Sequence, residues 1–281
     1  MSVFSLREVV TYGASQLTES DSAKLDAELL LLHVLKQTRT FLFTHSDTEL
    51  SQEQYLQFTQ LLERRKQGEP VAYIIGQTGF WDLTIKVSPA TLIPRGDTES
   101  LMDYIVEHFN PKNVLDLGTG TGALALATAK EYPQASVVAV DVIEEAVALA
   151  KENAKLNKVT NVEILQSDWF ALVPKRRFDL IVSNPPYIDA NDHHLGEGDV
   201  RYEPKSALVA ERHGLADIEK ICNQALSFLT EDGCLMVEHG YDQGPHVRAI
   251  FSQSGFSNIE THQDLAGRDR FTLGYYPFSF V

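Results

Sequence analysis

Apolar residues recur at helical spacing from the beginning of the chain: Leu6, Val9, Val10, Ala14 and Leu17, then Leu25, Leu29, Leu32, His33 and Leu35, then Tyr55, Phe58, Leu61 and Leu62. Spacings of three and four predict amphipathic helices. Thr18-Glu-Ser-Asp-Ser22 and Ser46-Asp-Thr48 interrupt the pattern with capping residues, and Gly68-Glu-Pro70 closes the third long helix. Residues 1–77 are therefore expected to form a small all-helical domain. From Phe80 to Ile93 the pattern alternates through Leu83, Ile85 and Val87, with Pro89 and Pro94 closing it, which predicts a β-hairpin linker over 78–95. Asp97-Thr-Glu99 reads as the capped start of a helix that runs to about Phe109.

Beyond Pro111 the order becomes strand, helix, strand. Val114-Leu-Asp-Leu117, Ser136–Asp141, Val162–Leu165, Phe178–Val182, Leu235–Glu238, Asn258–Thr261 and Phe271–Leu273 read as seven strands. Helices over Ala123–Tyr132 and Glu144–Leu156, and near 214–229 and 242–254, separate them. This alternation predicts an α/β domain over 96–281: a doubly wound, mostly parallel sheet with ligands at the carboxyl ends of its strands.

The 281 residues are 43% hydrophobic and 22% charged, enough apolar material to build a sizeable core. The longest apolar runs, such as Leu29–Leu32 and Ala123–Ala129, are too short to span a bilayer. The N-terminal Met1-Ser-Val-Phe-Ser-Leu-Arg7 lacks the basic-then-apolar order of a secretory signal. A soluble cytoplasmic protein with no membrane partner is expected, and a monomer. Cys222 and Cys234 offer neither a disulfide framework nor a four-ligand zinc site, and are expected to be buried. The net charge of −15 disfavours nucleic acid as a stable partner, because phosphate neutralisation supplies most of such affinity. Residues 1–77 carry 7 basic and 10 acidic side chains, so most of the excess lies in the larger part. Arg64-Arg65-Lys66 and Lys175-Arg176-Arg177 read as solvated faces.

Candidate chemistry begins at Gly118-Thr119-Gly120-Thr121-Gly122, where a strand turns into a helix and backbone must come close to a ligand. The glycines with Ala123 also satisfy the dinucleotide pattern G-x-G-x-x-G/A, so a nicotinamide oxidoreductase stays open on glycines alone. Asp141, at the end of the second strand, can accept from both hydroxyls of a ribose. Asp116, two residues before Gly118, turns the balance. Asp-x-Gly-x-Gly-x-Gly resembles the loop of the Rossmann-like class I methyltransferases, which bind S-adenosyl-L-methionine. In that class Ser167-Asp168-Trp169, after the third strand, falls where the adenine ring is held.

Asn184-Pro185-Pro186-Tyr187 ends the fourth strand. Two prolines fix φ and remove backbone donors, leaving carbonyl oxygens at the strand tip. Asn184 Oδ1 and the Pro185 carbonyl can then accept both hydrogens of one NH₂ group, and Tyr187 supplies an aromatic wall. Such a turn suits methylation of an amide or exocyclic amine, on a protein glutamine or on a nucleic-acid base. No strong base and no metal is needed. Asp189, Asp192, His193, His194 and Glu197 nonetheless sit together, and read as a polar loop after the catalytic turn.

The whole chain resembles the HemK/PrmC family, the N5-glutamine methyltransferases of peptide chain release factors. The resemblance runs through Gly68–Gly76, Phe80-Trp81, Val87–Arg95, Asp116–Gly122, Ser183–Asp189, Asp199–Pro204, Glu238-His239-Gly240 and Arg270–Gly274. It implies that Asp116, Gly118–Gly122, Asp141, Trp169 and Asn184 contact S-adenosylmethionine, and that Asn184, Pro185, Pro186 and Tyr187 bind the acceptor glutamine. It also implies a class I release factor as substrate, methylated in the Gly-Gly-Gln loop that enters the peptidyl-transferase centre and docked by the helical domain. One departure stands out: where the family usually reads Ile-Pro-Arg-Pro, this chain has Ile93-Pro-Arg-Gly96. Glycine is expected to loosen that segment. Arg95 has two open roles, substrate contact or pairing with a nearby acid.

Overall fold

A computed structural model of the chain describes residues 4–277. The ends of the two expected outer domains, and Met1–Val3 of the N-terminal segment, lie outside the described residues. The chain divides into two compact units, one of residues up to Gly76 with Gly196–Tyr202, the other of Gln77–Leu195 and Glu203 onward.

The first unit holds α1 (Leu6–Gln16), α2 (Ala23–Leu35), α3 (Arg39–Thr44), α4 (Gln52–Lys66) and α5 (Val71–Ile75). Capping boxes start α1 and α4: Ser5 and Glu8, and Ser51 and Gln54, each satisfy the other's free backbone N–H. Leu6, Val9, Leu30, Leu31, Phe58 and Leu62 fill the core. The face of α2 is broader than the expected one: Leu29, Leu32 and Leu35 pack at the core, but Leu25 is exposed and Ala27, Leu30 and Leu31 are fully buried. The helix is apolar nearly all round and packs against α1, α3, α4 and α5, so its spacing alone does not select one face. Arg65 of α4 bridges Asp26 (2.8 Å) and Asp199 (2.6 Å), and the Tyr202 hydroxyl donates to Gln67 O at 2.7 Å. These bonds hold Gly196–Tyr202 on the helical unit.

The second unit opens with a hairpin, β1 (Gln77–Phe80) and β2 (Leu83–Lys86), paired Gln77↔Lys86 to Phe80↔Leu83. It is shorter than the alternation predicts, because the chain leaves the ladder before Pro89. Then come α6 (Gly96–His108), β3 (Asn113–Leu117), α7 (Ala123–Glu131), β4 (Ser136–Asp141), α8 (Glu144–Leu156), β5 (Val162–Gln166) and β6 (Phe178–Ser183). A single turn, α9 (Glu211–Gly214), leads to α10 (Ala216–Ala225), β7 (Leu229–Glu238), α11 (Gly244–Gln253), β8 (Ser257–Gln263) and β9 (Asp269–Tyr275). The seven-stranded sheet has the order β5-β4-β3-β6-β7-β9-β8. Its first five strands run parallel, and β9 pairs antiparallel with β7 and β8. Helices cover both faces of the central strands, so β3 and β6 read as nearly continuous apolar runs. The chain starts this sheet at β3, adds β4 and β5 on one side, then crosses to β6 on the other. Ligand crevices open at such a reversal. Both cysteines are free and buried. No helix among the described residues is long and apolar enough to cross a membrane.

Candidate active site

A cavity of about 320 Å³ opens at the carboxyl ends of β3, β4 and β6. Of the residues singled out in the sequence, Asp116, Gly118, Thr119, Gly120, Thr121, Asp141, Ser167, Asp168, Trp169, Asn184 and Pro186 line it. Gly122, Pro185 and Tyr187 are not among the lining residues.

The loop after β3 is shaped by backbone first. Gly118, Gly120 and Gly122 all have positive φ, and the Gly118 and Thr119 amides both donate to Val140 O at 2.9 Å. Gly120 faces open space: a Cβ built on it meets nothing within 4 Å. Gly122 does different work, since a Cβ there would lie 3.1 Å from the Ala150 Cβ; it lets α7 approach α8. Asn153, fully buried on α8, ties the loop to the hairpin. Its Nδ2 donates to Thr121 O at 2.9 Å and Lys86 O at 3.0 Å, and its Oδ1 accepts from Lys86 N.

Two carboxylates brace this loop. The Thr119 hydroxyl donates to Asp116 Oδ2 at 2.6 Å. Burial pushes the Asp116 carboxyl up to about 7, partly offset by that bond. Asp141 Oδ2 accepts from Gly120 N at 2.8 Å and Oδ1 from Ile143 N at 2.9 Å. Burial raises Asp141 while the Ile143 and Gly120 amides pull it back. Each of its oxygens keeps a further lone pair for a ligand hydroxyl. Trp169 has φ +46° and lays its ring beside Gly118, where a Cβ would stand 3.4 Å from Cζ3.

At the tip of β6, Asn184 Nδ2 donates to the Thr98 hydroxyl of α6 at 3.2 Å. Among the described residues no protein donor reaches the Pro185 carbonyl. The Tyr187 ring packs against the sheet core, and its hydroxyl donates to Glu238 Oε1 at 3.2 Å. Burial pushes the Glu238 carboxyl up to about 7, with the Thr98 hydroxyl and the Arg270 charge acting against it. Burial, and then the Glu238 charge, raise the Tyr187 phenol well above its usual range. Arg270 in turn contacts Asp97 at 3.1 Å and Asp264 at 3.0 Å.

Arg95 pairs with the buried Glu203, which also accepts from Ile93 N at 3.1 Å. Of its two open roles, this geometry realises the pairing. Asp192, His193 and His194 bring ligand atoms within 4.8 Å of one another on an exposed loop, and Asp189 turns away to His213. Sequence reasoning missed Thr98 and Asn153, which carry no motif: Thr98 reads as a helix cap and Asn153 as one polar residue on an amphipathic helix. Lys220, which no motif marks, and Phe80, named only for the hairpin and the resemblance, also line the cavity.

Residues 8–76 match the family model of the PrmC N-terminal domain, and residues 96–197 that of the methyltransferase small domain. The chain is 51% identical over 258 residues to a release factor glutamine methyltransferase of Aliivibrio fischeri, covering 91% of each. It is 48% identical over 273 residues to one of Escherichia coli, covering 96% of this chain and 97% of that one. A crystal structure of a methyltransferase from Pyrococcus furiosus is similar with a TM-score of 0.54 at 19% identity, over 70% of this chain and 91% of that chain, which shows a shared fold.

Proposed function

The chain belongs to the family of release factor glutamine methyltransferases, and from that premise we propose that it transfers a methyl group from S-adenosylmethionine to the N5 side-chain amide of the glutamine in the Gly-Gly-Gln motif of class I peptide chain release factors. The observation that carries this reading is the meeting of the Asn184 turn with the glycine-lined cavity.

S-adenosylmethionine suits the residues present. Gly120 puts no side chain of its own into the open space of the loop, Asp141 offers two carboxylate oxygens for ribose hydroxyls, and Trp169 offers a flat face at the cavity wall for the adenine. Asp116 acts one step back, by holding Thr119. When bound, the cofactor supplies an electrophilic methyl group on a sulfonium.

An amide nitrogen is a poor nucleophile because its lone pair is delocalised into the carbonyl. Asn184 Oδ1 and the Pro185 carbonyl accept its two hydrogens, which returns electron density to nitrogen and fixes its direction. Orientation and preorganised dipoles of this kind supply most of the rate. The methylated nitrogen is then cationic and strongly acidic, and loses one proton to solvent without a strong base. Pro186 closes the cavity beside Asn184, and Tyr187, anchored to Glu238, braces the turn from the core side. The helical unit, with Phe43 and Leu56 exposed, is the part read as recognising the release factor. A substrate that works on ribosomes sets the cytoplasm as the place of action.

Methyltransferases of nucleic-acid bases use a similar turn, but a net charge of −15 favours the protein substrate. Incubation with labelled S-adenosylmethionine separates the two. Label is expected on a release factor, not on one whose Gly-Gly-Gln glutamine is replaced, and not on DNA. Equal labelling of both release factors contradicts the assigned acceptor.

A further inference from the structure

Asn184 has one donor end and one acceptor end, and only one way round presents an acceptor to the substrate. We infer that Thr98, held in turn by Glu238, is the positioning residue that fixes this choice. The inference rests on the acceptor role proposed above for Asn184.

Thr98 is the third residue of α6 and is buried. Its hydroxyl has a single proton; it accepts from Asn184 Nδ2 at 3.2 Å and faces the Glu238 carboxyl. Glu238 is 1% exposed. Its Oε1 accepts from Tyr187, and its Oε2 has no hydrogen-bond partner among the described residues. When Glu238 is ionised it only accepts, and the Thr98 proton is then drawn towards it. Thr98 then has lone pairs alone to offer Asn184, and Asn184 must answer with Nδ2. The reversed amide would set Oδ1 against those lone pairs and lose the bond from Nδ2. Oδ1 is thereby turned from Thr98 towards the cavity that Asn184 lines. Arg270 balances the buried charge at the far end of this relay.

The test uses the full chain with a release factor as substrate. Thr98→Val keeps the shape and removes the hydroxyl. It is expected to lower kcat about ten- to a hundredfold, with the calorimetric Kd for S-adenosylmethionine within about threefold of the parent. Thr98→Ser restores the hydroxyl and is expected to recover turnover to within about threefold. Glu238→Gln can donate to Thr98 and reverse its proton, so it too is expected to lose turnover while binding cofactor. Thr98→Val turnover within about twofold of the parent, alongside an inactive Asn184→Ala, overturns the positioning role alone. Loss of cofactor affinity in step with turnover, or a Thr98→Ser as impaired as Thr98→Val, overturns it as well. Full turnover by Asn184→Ala overturns the acceptor role itself.

Discussion

Gly214 stands so close behind Tyr187 that a Cβ on it would lie 2.0 Å from the Tyr187 carbonyl oxygen. The same carbonyl accepts from Gln243 Nε2 at 2.9 Å, and Gln243 also donates to His213 O at 3.1 Å. Gly240 N donates to Gln243 Oε1 at 2.8 Å, so the end of β7 fixes the amide that fixes the turn. Gly214 has φ +80°, which adds backbone strain to the clash for any other residue. Gly214→Ala is expected to cost about 2–4 kcal/mol and to displace the turn. Thermal unfolding and kcat, measured together, should both fall; a variant with parental values of both contradicts this account of the turn.

Asp141 is expected to govern cofactor affinity more than turnover. Asp141→Asn keeps one oxygen but sets an NH₂ against Gly120 N or Ile143 N, both of which now find acceptors. The Kd for S-adenosylmethionine should rise roughly ten- to a hundredfold, about 1.4–2.7 kcal/mol, by titration calorimetry. At saturating cofactor most of the turnover should return.

Gly96 can be replaced by the proline usual in the family. It is the first residue of α6, where a missing N–H costs nothing, and a Cβ there meets no atom within 4 Å. Arg95 already has φ −99° and ψ 147°, which a following proline requires. Gly96→Pro should stabilise by about 0.4–1 kcal/mol, a rise in Tm of roughly 1–3 °C by differential scanning calorimetry.

Glu238 ties stability to pH. Its carboxyl is raised from 4.5 to about 7 by burial, so between those values the folded state holds more protons than the unfolded one. Stability from this group is full below its unfolded pKa and is lost as pH rises through its folded pKa. Glu238→Gln cannot ionise and escapes that loss. Its Tm relative to the parent should therefore improve between pH 5 and pH 8, and an unchanged difference would show that Glu238 does not titrate there.

The place of the candidate site was legible where it is written in short contiguous segments. Asp116–Gly122 and Asn184–Tyr187 each carry their own geometry, one glycine loop and one proline-fixed strand tip, and the alternation of strands and helices set their places at the sheet's carboxyl edge. The parts that stayed hidden are long-range. Thr98, Asn184 and Glu238 are far apart along the chain and meet where the start of α6 reaches the carboxyl ends of the paired strands β6 and β7. The division of labour among the three glycines was equally hidden, because Gly122 faces Ala150 rather than the cavity. In the helical unit, α2 concealed its buried face because apolar residues surround it.

Fragmentation mass spectrometry of a release factor treated with this protein and S-adenosylmethionine tests the central claim most directly. One methyl group on the side-chain amide of the Gly-Gly-Gln glutamine, absent when Asn184→Ala replaces the parent, is the predicted result. A methyl group on another residue, or an undiminished yield with Asn184→Ala, would contradict it.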